Sequence, residues 1–292
     1  MITVNNRWNL GQKLLERARP FLPSQAVRRR PLPRKAPPDP DIAHADEYAV
    51  LSQEKTISLS LADIVQSHSP FPAYTAIMGV CDDGLPFLLD LSNPAPGSLL
   101  VVGDPQAGMA AFIKATLASA ALLNAPDQVS FSLIVHEPGD FLYLSQADHC
   151  QELLTPTHRA ADSFIESLVE TAEQRRREAR SGPALILAID NLAACLQAFN
   201  QETFTRLYWL VRHGPRYRLW TLAGLSTEDI KCVEPHLLAA FRTRILGSTR
   251  PSRQMERLIG TRVEELPSLE PGAQFCTSYA GDWIRFWICE IS

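Results

Sequence analysis

The chain has 292 residues, 46% of them apolar, and a formal net charge of −4 at pH 7. That length and apolar content suffice for a well-buried core in one large domain or two small ones. No run approaches the roughly eighteen apolar residues of a membrane span and Asn5-Asn6-Arg7 leaves no uncharged signal core, so neither a membrane span nor a secretory signal is expected, and a cytoplasmic protein is.

Six cysteines (Cys81, Cys150, Cys195, Cys232, Cys276, Cys289) and seven histidines show no metal-ligand spacing, so reduced core thiols and no metal are expected. The charge is uneven. Residues 1–41 carry nine Lys/Arg against three acidic residues, a local +6, and the remainder is at −10.

Residues 1–19 can form a short amphipathic helix with Leu10, Leu14 and Leu15 on one side. Prolines from Arg19 to Pro40 make a packed core implausible, so residues 1–45 read as a basic, proline-rich, disordered tail. That tail is either a solvated tether or an arm whose residues 7–35 dock on DNA, an acidic partner or anionic lipid.

Residues 46–97 form the next unit. Ser60 to Val65 reads as a short helix, and Tyr74 to Val80 and Leu85 to Leu91 as strands joined at Asp82-Asp83-Gly84, a hairpin signal. Residues 98–292 form the core. Leu99 to Val102 is a buried strand that runs into a helix ending near Leu123. Strands follow at 129–135, 184–189, 219–223 and 242–246. Helices are expected over 160–180 and 201–212, and another opens at Ser226-Thr227-Glu228-Asp229. Such alternation argues a mostly parallel sheet with right-handed crossovers, flanked by helices. A terminal hairpin, 274–278 with 283–288, closes the chain.

The stretch from Leu99 to Ala110 carries the chemistry. An apolar strand ends in Gly103, Gly108 follows five residues later, and an alanine-rich helix begins, in the frame G-x-x-x-x-G-K-[ST] of a phosphate-binding loop. In such a loop the lysine reaches the β- and γ-phosphates and the hydroxyl ligates Mg²⁺. Met109 stands in place of the lysine and Ala110 in place of the hydroxyl. Asp104 adds a carboxylate, and Pro105 removes one N–H donor. The alternative is a glycine turn with no site history. The strand Ala184 to Ile189 ends in Asp190-Asn191, where a metal-steadying aspartate and a catalytic glutamate would stand; Asn191 cannot take a proton. Asp190-Asn191 serving only as a helix cap is the alternative.

With these motifs placed, the chain resembles the FtsK/SpoIIIE branch of the additional-strand P-loop ATPases, including the ATPase modules of type VII secretion proteins. Met78-Gly79-Val80-Cys81-Asp82-Asp83-Gly84-Leu85-Pro86 through Asp90-Leu91 is similar to that family's hairpin. His136-Glu137-Pro138-Gly139 is similar to its D-P-K-G, with Glu137 for the aspartate. His213 to Trp220 parallels the segment before the A-T-Q sensor, but Ala223-Gly224-Leu225 leaves no glutamine. Phe241-Arg242-Thr243-Arg244-Ile245 matches I-P-T-R-I, and Leu258-Ile259-Gly260 to Pro271-Gly272-Ala273 resembles the closing LLG…GDM region.

The resemblance implies a RecA-like, additional-strand P-loop core whose degenerate nucleotide site comprises Gly103, Asp104, Gly108, Met109, Ala110, Asp190 and Asn191. Every departure falls on a chemical position while the framework glycines remain, so no catalytic residue is expected. No cofactor is expected either, with ATP and Mg²⁺ only at weak affinity.

The implied function is a non-catalytic structural or regulatory subunit of a DNA- or protein-translocating assembly. It would form homo- or hetero-oligomers with FtsK-like ATPase subunits, and Arg242, Arg244, Arg212 and Arg216 are candidate trans-acting arginines. An ordinary surface or salt-bridged arginine is the alternative at each position. Two other functions stay open: an ATP-binding translocase with weak or partner-dependent hydrolysis, and an adaptor that binds through the basic arm.

Overall fold

The computed structural model describes residues 60–179 and 182–291. The tail read at residues 1–45 lies outside them, as do residues 46–59. The elements in chain order begin with α1 (Leu61–His68), β1 (Thr75–Cys81), β2 (Pro86–Asp90), β3 (Leu99–Gly103) and α2 (Met109–Leu123). Next come β4 (Val129–Ile134), α3 (Leu142–Ser145), β5 (Cys150–Leu154), α4 (Ala160–Glu178), β6 (Ala184–Ile189), α5 (Leu192–Ala198) and α6 (Gln201–His213). The chain continues through β7 (Leu219–Ser226), α7 (Pro235–Ala240), β8 (Thr243–Leu246), α8 (Arg253–Ile259), β9 (Gln274–Tyr279) and β10 (Asp282–Trp287).

All ten strands join one sheet in the order β2-β1-β10-β9-β8-β3-β7-β6-β4-β5. The run from β8 to β5 is parallel throughout, and β9, β10, β1 and β2 add an antiparallel wing. The mostly parallel α/β sheet expected from the alternation is present. Both hairpins form, and each belongs to the wing. β7 lies between the loop strand β3 and β6, so the strand ending at Asp190 stands two positions from the loop strand, about 10 Å away at ordinary strand spacing.

The burial pattern explains why β3 can be central. Every residue from Leu99 to Gly103 is buried, as a strand covered on both faces requires. Leu100 and Val102 face the layer formed by α4 to α8, with Leu187, Ile189, Ala223 and Leu225 beside them. Leu99 and Val101 face the opposite layer with Phe112, Ile113, Ala188 and Leu222. The period-2 alternation sorts one strand into two cores.

α2 covers that second layer. Its side chains are apolar all round apart from Lys114 and a few hydroxyls, so it buries nearly its whole circumference at Phe112, Ile113, Leu117 and Ala120. Ser119 Oγ crosses to β1, accepting from the Ile77 amide at 2.8 Å and donating to the Ile77 carbonyl at 3.0 Å. The wing is thereby tied to the helix that starts at the loop.

Five elements escape the sequence pattern or differ from it, one of them the four-residue α3, too short to show a period. β5 is an edge strand with an exposed middle, so it lacks an apolar run. α5 and α8 are seven residues each, too short to show a helical period. Ser226 caps the helix expected after it by accepting from the Glu228 amide at 3.3 Å, but Thr227–Cys232 winds as a 3₁₀ turn before α7 begins at Pro235. Pro235 fits only the first turn of an α-helix, so the helix restarts there.

Gly224 on β7 is required by crowding between neighbouring strands. A Cβ there would lie 2.4 Å from the Asp190 carbonyl oxygen, which is backbone and has no room to yield. Gly224→Ala is expected to cost about 1–3 kcal/mol, the range of a core overpacking substitution; a thermal melt indistinguishable from the parent would contradict this packing.

Candidate functional site

The loop Gly103 to Ala110 leaves the carboxyl end of β3, where ligands bind in open parallel sheets. Gly108 takes φ 82°, a left-handed conformation open to glycine at little cost, and directly precedes α2. A Cβ on Gly108 would lie 2.7 Å from the Gly272 carbonyl oxygen, so the Pro271-Gly272-Ala273 turn rests on the loop. A Cβ on Gly103 would lie 2.4 Å from the Ala107 methyl, and one on Gly247 would lie 2.8 Å from it. The frame glycines are therefore required by space, and the turn is a closely packed object.

One carboxylate and two amides of the loop are engaged internally. The Asp104 amide donates to the Ser248 carbonyl at 3.0 Å and the Ala107 amide donates to the Asp104 carbonyl at 2.8 Å. The Asp104 carboxylate accepts from the Thr227 hydroxyl and from the Arg250 amide at 3.2 Å, and pairs with Arg250 Nε at 3.3 Å. Thr227 follows β7 and Arg250 follows β8, so one carboxylate ties the loop to the segments after both strands that flank β3. Arg250 is 88% exposed, so its ion pair contributes little to stability, but it offsets the negative charge that a side-chain count within the loop assigns to Asp104.

Met109 and Ala110 stand in the first turn of α2, partly buried, and pack against the cluster that contains Phe112 and Phe275. A methionine so placed adds apolar contact and offers no charge to a phosphate. The backbone still has donors, because the first amides of α2 lack intrahelical partners; the first bond of the helix is Phe112 N–H to the Gly108 carbonyl at 2.9 Å.

Asp190 and Asn191 sit at the end of β6. Both oxygens of Asp190 accept from the His136 amide, at 3.0 and 2.8 Å, so the carboxylate binds the backbone just past β4. Burial pushes the Asp190 carboxyl above its ordinary value, opposed by amide donation from His136, Asn191 and Glu137. Asn191 caps α5, its side-chain oxygen accepting from the Ala194 amide at 3.0 Å.

The four candidate arginines gather at the other end of the parallel strands. Arg242 lays its methylenes over Gly97, where a Cβ would meet its Cδ at 2.6 Å. Arg244 is the second residue of β8, in register with Leu100; its Nε is buried without a hydrogen-bond partner, and burial lowers its pKa. Arg212 Nη1 donates to the Tyr208 hydroxyl at 3.0 Å, and Arg216 lies in the 3₁₀ turn before β7. The structure thus brings Gly103, Asp104, Gly108, Met109 and Ala110 together at the strand ends. It places Asp190 and Asn191 along the same edge and the arginines at the opposite one. Thr227 and Arg250 were missed from the sequence, since neither occupies a position in the loop frame and their relation to Asp104 depends on strand order. Among the described residues no cluster of His, Cys, Asp and Glu could hold a metal, and no helix is long and apolar enough to cross a membrane.

The FtsK/SpoIIIE family model matches residues 67–203, which span the hairpin, the loop and the Asp190 strand. The ESX-5 secretion system protein EccC5 of Mycobacterium marinum is 22% identical over 189 residues, covering 56% of this chain and 13% of that protein. The chain therefore spans a small part of the curated relative it matches.

Among solved structures, the cytoplasmic domain of the Thermomonospora curvata type VII secretion ATPase EccC superposes with a TM-score of 0.66 at 17% identity, covering 80% of this chain and 32% of that one. EssC (ATPases 2 and 3) from Geobacillus thermodenitrificans gives 0.64 at 16% identity, covering 76% and 48%. The pCW3 conjugation coupling protein TcpA gives 0.58 at 17% identity, covering 80% and 70%. These structures share the fold, and the family resemblance read from the motifs is borne out.

Raising the Asp190 pKa makes its effect on stability run one way. Between the unfolded value near 3.9 and the raised folded value, the folded chain binds more protons than the unfolded chain, so this contribution falls as pH rises through that window. Urea midpoints of the parent and Asp190→Asn measured between about pH 4 and 7 should show the parent's relative stability declining with pH and then levelling. A difference that grows with pH would reverse the assignment.

Proposed function

We propose that this chain, a relative of the FtsK/SpoIIIE family, is a non-catalytic module of that fold. It would work as a structural or regulatory subunit beside active ATPase subunits of a translocating assembly. The observation that carries this reading is the internal engagement of the loop, where Asp104 is held by Thr227 and Arg250 while Met109 and Ala110 take the places of the phosphate-binding lysine and the metal-binding hydroxyl. Transition-state charge on a transferring phosphoryl group would meet no clamp cation at the lysine position and no metal ligand from the loop. Asn191, which stands where a catalytic glutamate would and caps α5, adds no base beside Asp190. The relatives' secretion and conjugation roles make a protein- or DNA-moving machine the proposed setting. Residues 7–35 keep their proposed role as a partner-binding arm.

The retained backbone supports a second reading. Gly103, Gly108 and the unpartnered first amides of α2 still form an anion-attracting terminus, so nucleotide held weakly without hydrolysis is the alternative.

Calorimetry of the full chain with ATP, with and without Mg²⁺, beside Met109→Lys/Ala110→Thr separates the two. The first reading expects no heat from the parent at up to about millimolar nucleotide, a dissociation constant corresponding to about 4 kcal/mol. Magnesium-dependent micromolar binding by the parent would refute it.

A further inference from the structure

The amino-terminal edge of the parallel strands carries a concentration of arginine that the nucleotide-site reading leaves unused. α4 and α6 run side by side in the same direction: Asp162 accepts from the Thr203 hydroxyl at 2.7 Å and Glu166 pairs with Arg206 at 2.6 Å. Their carboxyl ends therefore emerge together. Arg175 stands in the last turn of α4, Arg212 in the last turn of α6, Arg216 in the following 3₁₀ turn, and Arg218 just before β7. Arg175 Nη1 donates to the Tyr217 carbonyl at 2.7 Å, and Arg218 lies over the Tyr74 ring at 4.5 Å while Nη1 donates to the Gly182 carbonyl at 3.3 Å. Tyr217 stacks on Trp209 at 6.2 Å, and Trp209 meets His213 at 5.5 Å.

None of these four arginines has a carboxylate partner among the described residues, whereas their neighbours Arg176 and Arg177 both pair with Glu173. Two helix carboxyl ends supply about half a negative charge each, which leaves roughly three positive charges uncompensated. Burial lowers the pKa of Arg175 and of His213, and the like charges of Arg218 beside the first and of Arg212 and Arg216 beside the second lower them further. Arg175 and Arg218 are held in place by carbonyls and a ring, while Arg212 and Arg216 are exposed with their charge unpaired.

We propose that this edge docks a short acidic peptide segment of a partner protein, its carboxylates received by the guanidinium forks of Arg212 and Arg216 with Arg175 and Arg218 behind them. Guanidinium matches carboxylate in two-pronged geometry, and the Tyr208 hydroxyl already holds Arg212. The surroundings select the length of the partner. Close to Arg175, α4 also exposes Glu170 and Glu178, which pair with no arginine among the described residues, so a long polyanion such as nucleic acid would meet carboxylates within a Debye length of about 8–10 Å.

The probe is a fluorescein-labelled peptide of about twelve residues alternating Glu and Gly, titrated by anisotropy against the full chain at about 50 mM salt. Arg212→Glu/Arg216→Glu should weaken binding at least about tenfold. Arg176→Glu/Arg177→Glu, an equal change of charge at arginines already paired, should weaken it by less than about threefold. Both variants keep residues 7–35, so any peptide held by that arm is common to all three proteins. Thermal melts of each variant within about 2 °C of the parent exclude misfolding as the cause. Absence of binding, equal losses in the two variants, or displacement of the peptide by an equimolar oligothymidylate of about twelve nucleotides would each overturn the proposal.

Discussion

The methyl group of Ala107 is the point on which the loop turns. It is wholly buried and occupies the space that side chains at Gly103 and Gly247 would need. Its position results from β3 being flanked on both sides, with Val102 opposite Leu225 on one side and Leu246 on the other. A chain leaving a strand so enclosed has no lateral escape, so it doubles back over its own end and starts a helix. Gly108 supplies the left-handed conformation for that reversal, and Gly272 packs against it. These requirements are steric and concern only backbone and small side chains.

The frame of the loop is therefore independent of the side chains that follow Gly108. Side chains at the two positions after Gly108 project from the first turn of α2, and the glycine packing does not depend on them. Met109 and Ala110 instead add apolar contact to the layer around Phe112. The Asp104 carboxylate works in the same direction: by joining Thr227 and Arg250 it couples the loop to the segments after β7 and β8. Asp190 couples the end of β6 to the backbone after β4. Two carboxylates at the carboxyl edge of the sheet thus serve as ties between loops.

The two edges of the parallel sheet differ in character as a result. At the carboxyl edge, charge is neutralised internally by ion pairs and amide donors. At the amino edge, two helices end side by side and arginines accumulate beyond what their termini compensate. A protein with an acidic body thereby carries a local basic surface on the side away from the glycine loop.

The sequence by itself determined the elements whose periodicity is strong and whose punctuation is unambiguous. The buried runs of β3, β4, β6 and β7, the long α2, α4 and α6, the two hairpins and the glycine frame of the loop all come from local pattern, because apolar alternation and turn chemistry act between near neighbours. Asn191 as a cap was also within reach, being one of the two readings of Asp190-Asn191. Short α5 and α8 and the edge strand β5 were not, since each has too few residues or too little burial to show a period. Only the tertiary structure decided that Thr227 and Arg250 meet Asp104, over one hundred residues earlier, that Asp190 turns to His136, and that four arginines from separate elements share one edge. Those relations depend on the strand order β8-β3-β7-β6-β4, which brings together segments far apart in the chain, and no local propensity encodes that order.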